Sequence, residues 1–387
     1  MDLGAITAAI VEDLGAPPEH VVAARAIDGG TTPIAAGARR ALGVRWIEGG
    51  RTPATHAMEA IVALAGDTRA IVVAAAAVLA RLRVEAGAGE AREALSVWAP
   101  LAARFGLGPL QREIEDRAFK ILDRPAYEAV ARFVAQRREA RDGAVAAARS
   151  ALLATLSEAG IVAEVSGRAK HLYSIHQKLR ARHERGPALH DLFGLRVIVE
   201  DEAECYAVLG VIHAELVALP ERFKDYIARP KPSGYRSLHT CVHMADAPGR
   251  SVEIQIRTRA MHASAEHGAA SHLRYKHPAW KEPGPARWLY ALTPRGEVRR
   301  LPVGATPLDF AYAIHTEIGR RFMGAKVKGR MVSADTPLET GDVVEILCSA
   351  RARPSMGQLD RARTARARNR IRAALAPASR RGRDRRP

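Results

Sequence analysis

The chain has 387 residues, with 59 Lys plus Arg against 42 Asp plus Glu, a formal net charge of +17, and 48% apolar residues. That length allows about two to four domains with ample core, and the composition excludes wholesale disorder. Three scattered cysteines, Cys205, Cys241 and Cys348, with no C-x-x-C pair, argue against a disulfide scaffold or a thiolate zinc site. No basic leader opens the sequence, and the longest apolar run, Ala70 to Ala80, is too short to span a bilayer, so a soluble, cytoplasmic protein is expected.

Residues 1–140 read as Ala-rich and helical. The pattern is plainest from Arg112 to Phe133, where Ile114, Ala118, Phe119 and Leu122 recur at helical spacing and Asp123-Arg124-Pro125 restarts a helix. From 141 to 277 the period changes and strands alternate with helices. Strands are predicted at Ile161–Val165, Asp191–Val199, Leu238–Met244 and Val252–Arg257. Helices are predicted at His171–His183, Glu204–Leu216 and Ala260–Tyr275. Glu221–Arg236, rich in Lys, Arg, Pro and Gly, reads as an ordered surface loop. This is the pattern of an α+β domain. Residues 278–286 read as a Pro-rich linker. A small β-rich module follows over 287–349: a hairpin from Trp288–Thr293 and Gly296–Pro302, a helix over Pro307–Ile318 and a closing strand at Asp342–Leu347.

The charge is concentrated at the end. Thirteen Arg and two Asp lie between Arg351 and Pro387, a local charge of +11 that leaves +6 for the rest. Residues 350–387 therefore read as a basic, disordered tail, solvated or following phosphates.

No P-loop, G-x-G-x-x-G or kinase signature is present, so phosphate binding, if any, must come from side chains. Arg168 and Lys170 precede a helix on which Ser174 and Lys178 sit four apart on one face. Three cations beside helix N-terminal amides suit a polyphosphate. A solvated basic face is the plainer reading. In the strand Val252–Arg257, period 2 sends Val252, Ile254 and Ile256 inward and Glu253, Gln255 and Arg257 to the opposite face. Asp191 opens a neighbouring strand, and two such carboxylates can hold Mg²⁺ and deprotonate a hydroxyl; an ordinary polar sheet face is the alternative. The His190-Asp191 pair reads as a decoy for a phosphohydrolase metal site, and the histidines at 262, 267, 272 and 277 step by five, which spreads them around a helix. The loop Arg222 to Thr240 mixes cations with Tyr226 and Tyr235, so that a base could stack while cations neutralise phosphates. A surface loop without function is the alternative.

Five segments in order, Gly167-Arg-Ala-Lys-His-Leu-Tyr-Ser-Ile175, Asp191-Leu-Phe-Gly-Leu-Arg-Val197, Arg222-Phe-Lys-Asp-Tyr-Ile227, Gly234-Tyr-Arg-Ser-Leu-His-Thr240 and Val252-Glu-Ile-Gln-Ile-Arg-Thr258, resemble the RelA/SpoT family of (p)ppGpp synthetases. The resemblance implies a nucleotidyltransferase-like synthetase domain that uses Mg²⁺ to move the β,γ-pyrophosphate of ATP onto the 3′-hydroxyl of GDP or GTP. It further implies that Arg168, Lys170, Ser174, Lys178 and Arg257 contact ATP and that Asp191 and Glu253 bind metal, with Glu253 activating the hydroxyl. By the same resemblance Lys224, Tyr235 and His239 form the acceptor site, Tyr235 stacking on guanine. Ser233 stands where the family commonly has Asn.

Residues 287–349 resemble the family's TGS module, a β-grasp fold. In ribosome-associated relatives that module meets tRNA, which makes His315 a candidate contact and the ribosome and uncharged tRNA candidate partners; a His packed on a helix is the alternative. Glu93 to Ala102 resembles the end of the family's hydrolase domain. Upstream, Ala77 and Ile27-Asp28 replace the expected metal-binding acids and His, so an inactive, hydrolase-like helical domain is expected over 1–140. The leading expectation is an active, synthesis-only enzyme. The rival is a catalytically silent ribosome- or tRNA-binding protein that uses the TGS module and the Arg-rich tail.

Overall fold

The computed structural model describes residues 3–13, 18–27, 32–84, 86–136, 138–183, 193–231, 233–243, 251–267 and 287–376. Among the described residues ten α-helices come first: α1 (Leu3–Asp13), α2 (Pro18–Arg25), α3 (Pro33–Leu42), α4 (Ala54–Ala65), α5 (Thr68–Val84), α6 (Ala88–Glu93), α7 (Ala99–Arg104), α8 (Gly108–Leu122), α9 (Arg124–Gln136) and α10 (Arg138–Glu158). Alanine's high helix propensity accounts for their density, and Thr32 caps α3 by accepting from the Ala35 amide at 3.2 Å.

The α+β region is built from β1 (Glu164–Ala169), α11 (Leu172–His183), β2 (Phe193–Val199), α12 (Glu202–Glu215), β3 (Lys224–Asp225), β4 (Leu238–His243), β5 (Ser251–Thr258) and α13 (Arg259–His267). Its five strands form one sheet in the order β1-β2-β5-β4-β3. Only the β2–β5 pair is parallel; the other three pairs are antiparallel. One face is apolar. Val165, Leu195, Val197, Leu238, Val242, Ile254 and Ile256 pack there against Leu152 and Leu156 of α10 and Val208 and Ile212 of α12. The other face carries the polar residues. The expected strand at Ile161–Val165 begins later, at Glu164, and the loop 221–236 contains a single turn of 3₁₀ helix and the short β3.

The C-terminal module contains β6 (Trp288–Leu292), β7 (Val298–Pro302), α14 (Pro307–Ile314), α15 (Thr316–Arg320), β8 (Phe322–Val327), β9 (Arg330–Val332), β10 (Val344–Cys348), α16 (Met356–Arg361) and α17 (Ala365–Leu375). A three-stranded sheet β10-β8-β9 accompanies the β6-β7 hairpin, and a Leu292–Val343 bridge links the two. Two expectations are corrected here. The helix predicted over Pro307–Ile318 is broken at His315, which is extended (φ −159°, ψ 145°) and caps α15 by accepting from the Glu317 amide on Nδ1. The tail expected to be disordered from 350 instead carries the helices α16 and α17, because Ala362, Ala367 and Ile371 enter the module's core and the buried Asp309 accepts from the Arg363 and Thr364 amides. Of the expected tail, residues 377–387 lie outside the described residues.

The chain divides into two compact units, Met1–Asp28 with Ala75–Lys281, and Gly29–Ala74 with Glu282–Pro387. The division departs from the boundary expected near 140. Within the first unit, Asp116 of α8 accepts from the Tyr173 and Leu172 amides of α11 at 2.8 and 3.3 Å, and Glu115 pairs with His171 at 2.6 Å. Within the second, α4 and its approach meet the β6-β7 hairpin: Thr52 donates to the Val298 carbonyl at 2.9 Å, and Glu59 accepts from Tyr290 and Arg300 at 3.0 and 3.1 Å. Gly296 (φ 82°) turns that hairpin where a Cβ would lie 2.5 Å from the Gly43 carbonyl oxygen, so only glycine fits.

Candidate functional site

Alternation along β5 aims Glu253, Gln255 and Arg257 at the polar face of the sheet, and the register sets His239 of β4 beside Gln255 and Lys224 of β3 beside His239. The second face is not open to solvent as a polar sheet face would be. Gln255 and Arg257 are as buried as the apolar residues between them, at 3% and 2% exposure.

Glu253 is the centre of this arrangement. One carboxylate oxygen lies 3.2 Å from Lys170 Nζ, and the other lies 3.3 Å from His239 Nδ1 and 3.2 Å from Gln255 Nε2. His239 in turn meets the Tyr235 hydroxyl at Nε2, 2.8 Å away. With the hydroxyl donating to Nε2, the ring proton sits on Nδ1 and donates to Glu253, so every partner in the chain Tyr235–His239–Glu253–Lys170 is satisfied. The hydrogen bond from His239, then Lys170's charge and the Gln255 amide, outweigh burial and hold the Glu253 carboxyl well below the usual carboxylate range. It is an anion at neutral pH. While Lys170 and His239 hold it, it is a weak base and a good acceptor.

Tyr235 belongs to an aromatic cluster. Tyr226 and His239 meet its ring edge-on at 6.1 and 5.7 Å between centroids, and Lys231 Nζ lies 5.3 Å from its centroid. Arg257, at the far end of the polar row, donates to His262 Nδ1 at 2.7 Å and pairs with Glu266 at 3.2 Å.

The remaining expected site residues distribute as follows. Arg168 is in β1 at the register position facing Gly194. Ser174 and Lys178 are half-buried one turn apart on α11. The α11 amides expected to face a phosphate are instead engaged in part by Asp116. Asp191 and the His190-Asp191 pair lie outside the described residues, as do His272 and His277 of the five-step histidine series. His315 is exposed at the junction of α14 and α15. Arg196, Glu266 and Arg112 are absent from the sequence-based candidates, and His262 enters there only as one of a histidine series spread around a helix. Arg196 leaves a signal, a cation interrupting the apolar run of β2, whereas Glu266 and Arg112 share the site through folding alone.

Among the described residues no group of three or more His, Cys, Asp or Glu gathers as a metal cluster. Mg²⁺ asks less, one or two carboxylates completed by phosphate oxygens and water. The ionised Glu253, on the face that carries Lys170 and Arg257, fits that demand.

A family model described as a region found in RelA / SpoT proteins matches residues 167–279, and a TGS domain model matches 289–348. A protein of Mycobacterium leprae named probable GTP pyrophosphokinase is 40% identical over 334 residues, 75% of this chain and 42% of its own length. The bifunctional (p)ppGpp synthase/hydrolase RelA of Mycobacterium tuberculosis is 39% identical over 334 residues, 75% of this chain and 45% of its own. Among solved structures, the small alarmone synthetase 2 of Bacillus subtilis is 33% identical, covering 33% of this chain and 74% of its own at a TM-score of 0.28. The chain spans less than half the length of those two mycobacterial relatives.

Proposed function

Because the chain belongs to the RelA/SpoT family, we propose that it transfers the β,γ-pyrophosphate of ATP to the 3′-hydroxyl of GDP or GTP. The observation that carries this reading is the chain Tyr235–His239–Glu253–Lys170 on one sheet face. It sets an aromatic ring for a base, a carboxylate for a hydroxyl and a cation for a phosphate side by side. Lys170, with Arg168, Ser174 and Lys178, would hold the ATP phosphates, and Arg257 would steady them from the far end of β5. Lys224, Tyr235 and His239 would hold the acceptor, its guanine stacked on Tyr235.

As Lys170 turns from Glu253 to the incoming phosphates, the carboxylate loses a charge partner and its proton affinity rises. It then suits the role of general base, taking the proton of the 3′-hydroxyl while that oxygen bonds to the β-phosphorus and the bridging oxygen leaves with AMP. Such a base is worth roughly 10²–10⁴ in rate, and alignment of the two nucleotides supplies much of the remainder. Glu253, with Asp191 from the stretch before β2, would hold Mg²⁺, which when bound offsets the charge of the phosphates. The nucleotidyltransferase-like and β-grasp labels for the two modules belong to the same reading.

Ala77, where the resemblance expects a metal-binding acid, is fully buried on α5, and a methyl group cannot ligate a metal. The reading is therefore synthesis without hydrolysis, although the M. tuberculosis relative is named bifunctional. With Nδ1 of His315 accepting from the Glu317 amide, its Nε2 carries the ring proton and suits an RNA acceptor, which would make tRNA and the ribosome partners of the C-terminal module. No helix among the described residues is long and apolar enough to cross a membrane. Glu253→Gln tests the reading. It keeps the shape and removes the charge, and turnover near that of the wild type would end the assigned role.

A further inference from the structure

Three guanidinium groups from three elements converge on one carboxylate that the reaction scheme does not use. Glu266 of α13 takes Arg257 Nη2 and Arg196 Nη2 on Oε1, each at 3.2 Å, and Arg112 Nη2 on Oε2 at 3.3 Å. His262, one turn earlier on α13, accepts from the same Arg257 Nη2 on Nδ1 at 2.7 Å. Arg257 has 3% of its side chain exposed and Arg196 19%. Burial, and next the charge of Arg196, pull the Arg257 pKa down. Two like charges on adjacent strands, one buried and one half-buried, repel unless an anion lies between them. Burial works to raise the Glu266 pKa, and Arg112, Arg196 and Arg257 together overcome it. The carboxylate is therefore charged at neutral pH.

The geometry points to Glu266 as a positioning residue for the donor nucleotide, holding Arg196 and Arg257 side by side with their guanidinium groups on the face shared with Glu253. The inference rests on the proposed transfer reaction and extends it. Arg196 pairs in register with Gln255, one step of the polar row from Glu253, about 7 Å along the strand. Arg257 is two steps away, about 13 Å. Arg112 adds a grip from α8, outside the stretch that matches the family model.

Binding of α,β-methylene-ATP by titration calorimetry, with the KM values for ATP and GDP, is compared in the full chain for wild type, Glu266→Gln, Glu266→Asp and Arg112→Met. Each variant's melting temperature serves as a folding control. Glu266→Gln is expected to weaken the analogue and raise the ATP KM by about tenfold while the GDP KM stays within about twofold, the size of one lost charge-assisted hydrogen bond. Glu266→Asp, which keeps the charge, recovers part of the loss, and Arg112→Met costs less than Glu266→Gln. Analogue binding by Glu266→Gln as tight as the wild type's, or tighter, overturns the inference; so does an equal rise in both KM values, which marks general loosening. A wild type that does not bind the analogue removes the transfer reading and this inference together. A wild type that binds it but transfers nothing defeats the transfer reading alone, and the binding comparison still decides the role of Glu266.

Discussion

Replacing Asp309 by Ala should release the Arg-rich helix α17 from the C-terminal module. Asp309 is 1% exposed. Its Oδ2 accepts from the Thr306 amide and hydroxyl at 3.0 and 2.9 Å, its Oδ1 from the Thr364 amide and hydroxyl at 2.8 Å each, and the Arg363 amide lies 3.1 Å from both oxygens. Alanine leaves three backbone N–H groups without this acceptor. Thr306, itself 1% exposed, meets the full penalty of about 1–3 kcal/mol for a buried orphan. Arg363 is exposed and Thr364 half-buried, so water replaces part of their bonding and each costs about 0.5–1 kcal/mol. The total is about 2–5 kcal/mol, a large share of a domain's ordinary stability of about 5–15 kcal/mol. Urea unfolding followed by circular dichroism reads that loss. Brief trypsin digestion of the native chain reads the local effect, with cleavage between Arg361 and Arg372 accelerated in the variant. Asp309→Asn, which keeps one carbonyl oxygen, should lose about half as much. A stability loss below about 1 kcal/mol with unchanged cleavage would refute the docking of α17.

Three further outcomes are expected. Tyr235→Ala should raise the KM for GDP by about tenfold, in line with the roughly 1–3 kcal/mol of base–aromatic stacking, whereas Tyr235→Phe keeps the ring and should preserve acceptor affinity; equal damage from both would discredit stacking. Asp116→Ala uncaps α11 and should cost about 1 kcal/mol, a fall of roughly 2–4 °C in Tm for a unit of this size; an unchanged melting curve would mean that the bonds to the Leu172 and Tyr173 amides contribute nothing. The His262 pKa lies below its ordinary value, through burial first and then Arg257 and Arg196. Its folded state thus binds protons less readily than its unfolded state, so its contribution to stability is present above about pH 6.5 and is lost as pH falls through the depressed value. His262→Asn should flatten the decline of urea stability between about pH 7 and 5, and an unaltered slope would exclude His262 as its source.

Much of the first unit was legible because local signals and tertiary structure agree there. The strands β2, β4 and β5 have apolar residues alternating or running together, with Pro and Gly marking their limits, and the segments around Lys170, Glu253, Tyr235 and His239 carried the candidate site. The failures have particular causes. Strands β8 and β9 went unread because they are joined by Lys328-Gly329, with φ 51° and 79°, a tight turn without the Asn-Gly or Asp-Gly signal, and because Met323 and Met331 are 64% and 62% exposed. The composition of α17 is that of a solvated chain. Its order comes from Ala367 and Ile371 one turn apart, and from Asp309, 55 residues before Thr364. The capping of α11 depends on Asp116, 57 residues before Tyr173, which no local pattern announces. Glu266 likewise acquires its meaning from Arg112, 154 residues away. Glu253, Gln255 and Arg257 form one polar row as period 2 dictates, but period alone cannot show that a second layer buries Gln255 and Arg257.

The central claim is pyrophosphate transfer with Glu253 as the base. ATP labelled at the γ-phosphate is incubated with GDP or GTP, Mg²⁺ and the purified chain, and the nucleotides are separated by chromatography. The account predicts label in guanosine tetra- or pentaphosphate with the wild type and a loss of about 10²–10⁴ in rate with Glu253→Gln. No labelled guanosine product under any condition, or a Glu253→Gln rate near the wild type's, would contradict it.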